Sequence, residues 1–162
     1  CSIGWNISLP SLSRFGRFGF VSRTREQSDA EDRFQRFDVR GAAPSAPVGR
    51  LSGGNQQKVL LAKMLGTGPE IILLDEPTRG VDIGAKSEIY ALIDKLAAGG
   101  QAVLVISSEH QELFGLCDRV LVMSEGEIRG ELPPDRFSEE NLLSLAMIRS
   151  VAVPSSFQGE AA

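Results

Sequence analysis

The stretch Leu51-Ser52-Gly53-Gly54-Asn55-Gln56-Gln57-Lys58, followed closely by Ile71-Ile72-Leu73-Leu74-Asp75-Glu76-Pro77, decides the fold of this 162-residue chain. Residues 71–74 form an unbroken apolar run, the pattern of a parallel strand covered on both faces. Between the two stretches, Val59, Leu60, Leu61, Ala62, Met64 and Leu65 leave residues 56–65 apolar on most sides. That pattern predicts a helix buried on several faces, stopped by Gly66-Thr67-Gly68-Pro69. Downstream, Asp82 is placed to cap a helix whose Ala85, Ile89, Leu92, Ile93 and Leu96 share one face, closed by Gly99-Gly100. A second buried strand follows over 102–106, a short helix over 109–116 and a third strand over 119–123. Ser124-Glu125-Gly126-Glu127 then turns the chain into a hairpin with residues 128–132. Strand, helix, strand, helix, strand defines an α/β layer, a mostly parallel sheet flanked by helices.

Working outward, the chain weighs 17.4 kDa, with 42% hydrophobic and 23% charged residues. That suffices for one domain with a real core and argues against wholesale disorder. No apolar run reaches the roughly 18 residues needed to span a bilayer. A net charge of −4 and a pI near 5.1 do not favour nucleic acid as a partner. The charge is uneven. Residues 1–50 hold eight Arg against five acidic residues, net +3, and residues 51–162 are net −7. Cys1 and Cys117 form no disulfide framework, and Cys117 reads as a small core residue. Because the chain begins with Cys rather than Met, further sequence is expected upstream. Residues 1–50 hold five of the eight Phe and read as helical pieces joined by loops. Among them is an amphipathic helix over roughly 26–38, followed by the breaker Gly41-Ala42-Ala43-Pro44. A last helix starts at Ser138 with Leu142, Leu145 and Ala146 on one side, and residues 150–162 read as a flexible tail.

Ligands of parallel α/β sheets bind beyond the carboxyl ends of the strands. There the apolar run delivers Asp75 and Glu76. Two adjacent carboxylates at the end of a buried strand are costly to ionise, and a bound cation offsets that cost. Strand alternation points them differently, which suits two jobs: one holds Mg²⁺ and the other handles water. Ser52-Gly53-Gly54 at the mouth of a helix supplies free N–H groups, a hydroxyl and close access for phosphate oxygens. Either element alone has an ordinary reading, a solvated strand end or a plain N-cap; together, at this spacing, they are specific.

With both motifs in view, LSGGNQQK at 51–58, IILLDEP at 71–77 and PTRGVD at 77–82 resemble the signature, Walker B and D-loop of an ABC-type ATPase cassette. The finer likeness is to the second cassette of tandem ATPases from ribose- and galactose-type importers. The resemblance implies a P-loop NTPase-like fold in which residues 1–50 are part of the helical subdomain and residues 51–149 are the signature helix and Walker B core. It implies MgATP shared between two cassettes, with Ser52, Gly53 and Gly54 touching the phosphate of ATP held by the opposite one. Asn55 and Gln57 would support that turn, Asp75 would hold Mg²⁺, Glu76 would polarise the attacking water, and Asp82 would cross the cassette interface. It also implies permease subunits, indirectly a sugar-binding protein, no nucleic acid, and a peripheral place on the cytoplasmic membrane face.

The sequence departs from the family pattern twice. No G-x-x-x-x-G-K-[ST] occurs in the 162 residues, and no Lys precedes Lys58. The expectation is therefore a partial cassette, inactive alone. Counting ten residues back from Asp118, as related cassettes do, puts Ser108 where a histidine is usual. His110 lies two residues on, about 200° round a helix, and is expected to be a partly exposed helix residue without a catalytic role. Two other readings remain open. One is a half-cassette acting only in trans. The other is a ribosome-associated ABC ATPase, whose usual Asn-His-Leu-Asp is here Arg79-Gly80-Val81-Asp82. DNA-repair ATPase heads would need long heptad insertions, which are missing.

Overall fold

The computed structural model describes residues 1–17 and 20–147. In chain order the elements are α1 (Ile3–Ser8), a 3₁₀ segment (Leu9–Phe15), β1 (Gly16–Arg17), β2 (Phe20–Val21), α2 (Arg23–Arg36), α3 (Gly53–Leu65), β3 (Ile71–Asp75), α4 (Ile83–Ala98), β4 (Ala102–Ile106), α5 (His110–Leu116), β5 (Val120–Ser124), β6 (Glu127–Leu132) and α6 (Glu139–Met147). A short 3₁₀ turn, Val48–Arg50, leads into α3. The chain divides into two compact units, residues 1–106 and residues 107–162.

In the first unit, α1 packs on α2 and α3, with Ile3 and Ile7 fully buried. The helix expected over 26–38 starts three residues earlier and ends at Arg36. It ends there because Asp38 turns left-handed, φ +49°. The Asp38 and Val39 N–H groups bond back to the Gln35 and Phe34 carbonyls at 2.9 and 3.1 Å. This is a Schellman stop with Asp in the position that glycine usually takes. Beyond it Phe37 and Val39 reach the core.

The α3 helix buries a narrower stripe than its composition suggests. Gly54, Lys58, Val59, Leu61 and Ala62 face inward, whereas Leu60 and Met64 are exposed. The α4 helix begins as expected, with Asp82 Oδ1 accepting the Ala85 N–H at 3.0 Å, and buries Ile89, Ile93 and Leu96. It is the crossover that lets β3 and β4 pair in parallel, Ile71 opposite Ala102 through Asp75 opposite Ile106. The other two strand pairs, β1 with β2 and β5 with β6, are antiparallel.

The expectation of strands covered on both faces is corrected. Ile72 and Leu74 are buried, but Ile71 and Leu73 are 68% and 69% exposed, and on the neighbouring strand Leu104, opposite Leu73, and Ile106, opposite Asp75, are about half exposed. Parallel partners in register lie on one face, so these four side chains form a continuous apolar surface that no described residue covers. Asp75 ends the same face.

The second unit has its own small core of Val120, Val122, Leu132 and Leu142. Phe114 and Phe137 stack beside it with centroids 5.2 Å apart, and Cys117 packs against it. The expected final helix is present with the Ser138 hydroxyl accepting the Asn141 N–H at 3.1 Å. The tail assigned to residues 150–162 lies outside the described residues. Among the described residues no helix is long and apolar enough to cross a membrane.

Burial first, and then the nearby charge of Asp118, pushes the Cys117 thiol up from its ordinary range. Thiolate is the reactive form, so Cys117 should alkylate with iodoacetamide more slowly at pH 8 in the folded chain than in urea. Peptide mass spectrometry checks this, and equal rates would contradict the half-buried placement.

Candidate functional site

The first unit brings three sequence-selected segments into relation. The first is the carboxyl end of β3. The Glu76 N–H donates to the Ile106 carbonyl at 2.8 Å, which extends the β3–β4 ladder by one rung. At that residue the backbone turns left-handed, φ +48°. A non-glycine side chain held there is strained, and immediately before a proline the conformation is more unusual still. Pro77 and Thr78 behind it are buried, and the Glu76 carbonyl accepts the Arg79 N–H at 3.2 Å. Asp75 is exposed and Glu76 half-buried, so the two carboxylates stand in different surroundings.

The second segment is the turn entering α3. Ser52 occupies the N-cap position in extended geometry, but its side chain does not cap the helix. Instead Ser52 Oγ accepts the Asn55 side-chain amide at 3.0 Å, and Asn55 Oδ1 accepts the Arg40 N–H at 2.7 Å. The first-turn N–H groups of an α-helix have no partner within the helix, and here the Ser52 side chain takes none of them. Gln57 is half-buried, and the glutamine that ties the turn is its neighbour Gln56, whose Nε2 donates to the Leu51 carbonyl at 2.9 Å.

The third segment is the loop 77–82 and the start of α4, which pack directly on that turn. A Cβ placed on Gly53 would lie 3.5 Å from the Gly80 carbonyl oxygen, an ordinary contact. One on Gly54 would lie 2.4 Å from the Ala85 Cβ. The two glycines therefore differ. Gly53 is exposed and open to a ligand, while Gly54 is buried and lets two helices meet. These contacts set the glycine turn beside the loop that leads into the Asp82 cap.

In the second unit, Ser108 is exposed and His110 is the half-buried first residue of α5, the partly exposed helix position expected of it. The neighbouring Ser107 hydroxyl donates to the buried Glu112 carboxylate, and Ser107 Oγ accepts the Glu109 N–H at 3.0 Å. Among the described residues no cluster of three or more His, Cys, Asp or Glu forms a protein-only metal cage. A single exposed carboxylate such as Asp75 fits the alternative, a Mg²⁺ held mainly by phosphates and water.

Sequence reasoning missed Arg40 and Lys58. Arg40 Nε donates to Asp38 Oδ1 at 2.8 Å, and this bond holds the Asp38 carboxyl below its usual range. Lys58 is 1% exposed and meets Glu88 Oε2 at 2.6 Å. A lysine among the apolar residues of α3 was the available signal.

The carboxylate-tipped strand of a parallel pair, the glycine turn opening a helix and the capped crossover helix packed on that turn sit in a fold shared with solved ATP-binding cassettes. Residues 6–79 match the family described as ABC transporter. More narrowly, the chain is similar to sugar-import ATP-binding proteins. It is 61% identical over 130 residues to a ribose import ATP-binding protein of Rhizobium meliloti, covering 80% of this chain and 26% of that one. It is 49% identical over 145 residues to a xylose import ATP-binding protein of Burkholderia ambifaria, covering 90% of this chain and 28% of the relative. The chain thus spans between a quarter and a third of the length of these relatives. Among solved structures, a dimeric post-hydrolysis ATP-binding cassette bound to ADP and Pi superimposes with a TM-score of 0.70 at 25% identity, over 82% of this chain and 56% of the other.

The 2.4 Å approach generates a stability test. Gly54→Ala should cost about 1–3 kcal/mol in urea unfolding, because the Ala85 stub has no rotamer with which to yield. Adding Ala85→Gly should return part of that loss. Full stability of the single variant would contradict the contact.

Proposed function

We propose that the chain is part of the ATP-hydrolysing subunit of an ABC importer, coupling MgATP hydrolysis to uptake of a monosaccharide. The observation that carries this reading is the packing of Gly53 on Gly80 and of Gly54 on Ala85. It sets the glycine turn beside the loop that leads into the Asp82 cap, where a facing cassette would present its nucleotide. The sugar class rests on the likeness to ribose and xylose import ATP-binding proteins.

In this reading Ser52 Oγ and the Gly53 and Gly54 N–H groups bind the terminal phosphate of ATP held by the second cassette. Asn55 holds the Ser52 hydroxyl in place through its 3.0 Å bond, and Gln56, in the place expected of Gln57, ties the turn through the Leu51 carbonyl. Asp82 meets the facing cassette across the interface. On the chain's own side, Asp75 would hold Mg²⁺ through water, and the ion when bound neutralises phosphate charge. Glu76 accepts a proton from the attacking water, its backbone leaving the sheet just beyond the last rung of β3. Ser108 would hydrogen-bond phosphate without supplying positive charge. Phosphoryl transfer asks for positioning and charge stabilisation more than covalent chemistry, and these residues offer both. The partners are a second cassette and the transmembrane permease, with a sugar-binding protein engaged indirectly. The place is the cytoplasmic membrane face, held peripherally.

A second reading, a half-cassette that only contributes Ser52–Gly54 in trans, is favoured by Ser108 at the switch position. The two are separated by assay. Alone, the 162-residue chain should show negligible MgATP hydrolysis, and turnover near that of intact cassettes would refute this. In an assembled cassette pair, Glu76→Gln should slow turnover at this site by about 100-fold or more with nucleotide still bound. Unchanged turnover would leave only the trans role. Gly53→Asp should disable the facing site by repelling phosphate, and single-site assays showing only the cis site affected would overturn the trans assignment.

A further inference from the structure

We infer that Lys58 is a positioning residue that locks the phosphate-facing turn Ser52–Gly54 to the Asp82-capped helix, so that the two respond to a nucleotide as one body. The inference rests on the reading above for its functional meaning, but the lock itself is a property of the chain.

Lys58 lies one turn along α3 from Gly54, on the same buried stripe. An ammonium 1% exposed among Val59, Leu61 and Ala62 is costly unless it is paired and hydrogen-bonded. Its Nζ donates to the Asp38 carbonyl at 2.9 Å and to Glu88 Oε2 on α4 at 2.6 Å, with Asp38 Oδ2 at 3.8 Å. The same two helices already touch at Gly54 and Ala85. Two contacts, one steric and one ionic, are thus set a turn apart along both helices, which removes the freedom to rock about either.

The network continues past the pin. Asp38 is the left-handed residue that ends α2, and its carboxylate takes Arg40 NH2 at 2.6 Å. The Arg40 N–H holds Asn55, and Asn55 holds Ser52 Oγ. From Glu88 the path therefore runs through Lys58, Asp38, Arg40 and Asn55 to the hydroxyl proposed to meet phosphate. A buried ion pair is weak grounds for stability, since an apolar residue of similar volume often serves a core equally well. What an apolar residue at position 58 would lose is the short, buried link from α4 to the turn, leaving only the long pair of Arg40 Nη1 with Glu88 Oε1 at 3.9 Å between solvent-exposed side chains. That link distinguishes a lock from a satisfied core lysine.

The test is amide hydrogen exchange on the full 162-residue chain without nucleotide, each variant read on the helix that does not carry it. Lys58→Met should exchange about tenfold faster at residues 84–87, and Glu88→Gln should do so at residues 55–57. Residues 3–8 and 89–96 should keep their protection, and Lys58→Arg should restore most of the wild-type pattern. Glu88 is partly exposed, so Glu88→Gln keeps the test alive if Lys58→Met does not fold. Acceleration spread evenly over the first unit would make Lys58 merely structural, and no change across the helix pair would remove the lock. Because no nucleotide is present, these outcomes are independent of the Gly53→Asp assay. Failure of that assay with the exchange pattern intact would refute the functional reading and leave the lock standing.

Discussion

The parallel pairing of β3 with β4 is the constraint from which the rest of the first unit follows. Two parallel neighbours cannot be joined by a tight turn, so a crossover must lie between them, and here it is α4. The start of that helix is fixed by the Asp82 cap, and its first turns at Ala85 and Glu88 are where α3 docks. One further rung, from the Glu76 N–H to the Ile106 carbonyl, sets the point at which the chain leaves the sheet. The glycine turn, the carboxylate pair and the cap are thus placed by one register. A slip of that register by one residue would turn Asp75 toward the buried face.

The elements from Leu51 onward were legible because their signals are local. An apolar run, a capping aspartate and glycine pairs name strand, helix start and helix stop with little outside help. Less was legible where the answer depends on what lies opposite. The run Ile71-Ile72-Leu73-Leu74 is apolar at every position, yet only Ile72 and Leu74 are buried, because burial belongs to the partner surface and not to the strand. Leu60 and Met64 are apolar on a helix face that points out for the same reason. The end of α2 was misplaced by two residues because Asp38 adopts a conformation that periodicity does not encode.

At the site, the residue types were legible and the division of labour was not. Ser52, Gly53, Gly54, Asp75, Glu76 and Asp82 announce themselves by composition and spacing. That Gly54 serves packing whereas Gly53 stays open requires the position of Ala85, which no spacing rule supplies. Lys58 reads in sequence as the polar end of a motif and is in fact among the most buried side chains of the chain. Long-range ionic partners such as Glu88, on a different helix, are set by tertiary packing alone.

The half-covered sheet also gives the chain a temperature sign. Ile71, Leu73, Leu104 and Ile106 present adjoining apolar surface to water. Attraction between such surfaces is entropic near room temperature and weakens on cooling. Self-association through that face would therefore fade in the cold and grow on warming, opposite to association held by enthalpic contacts.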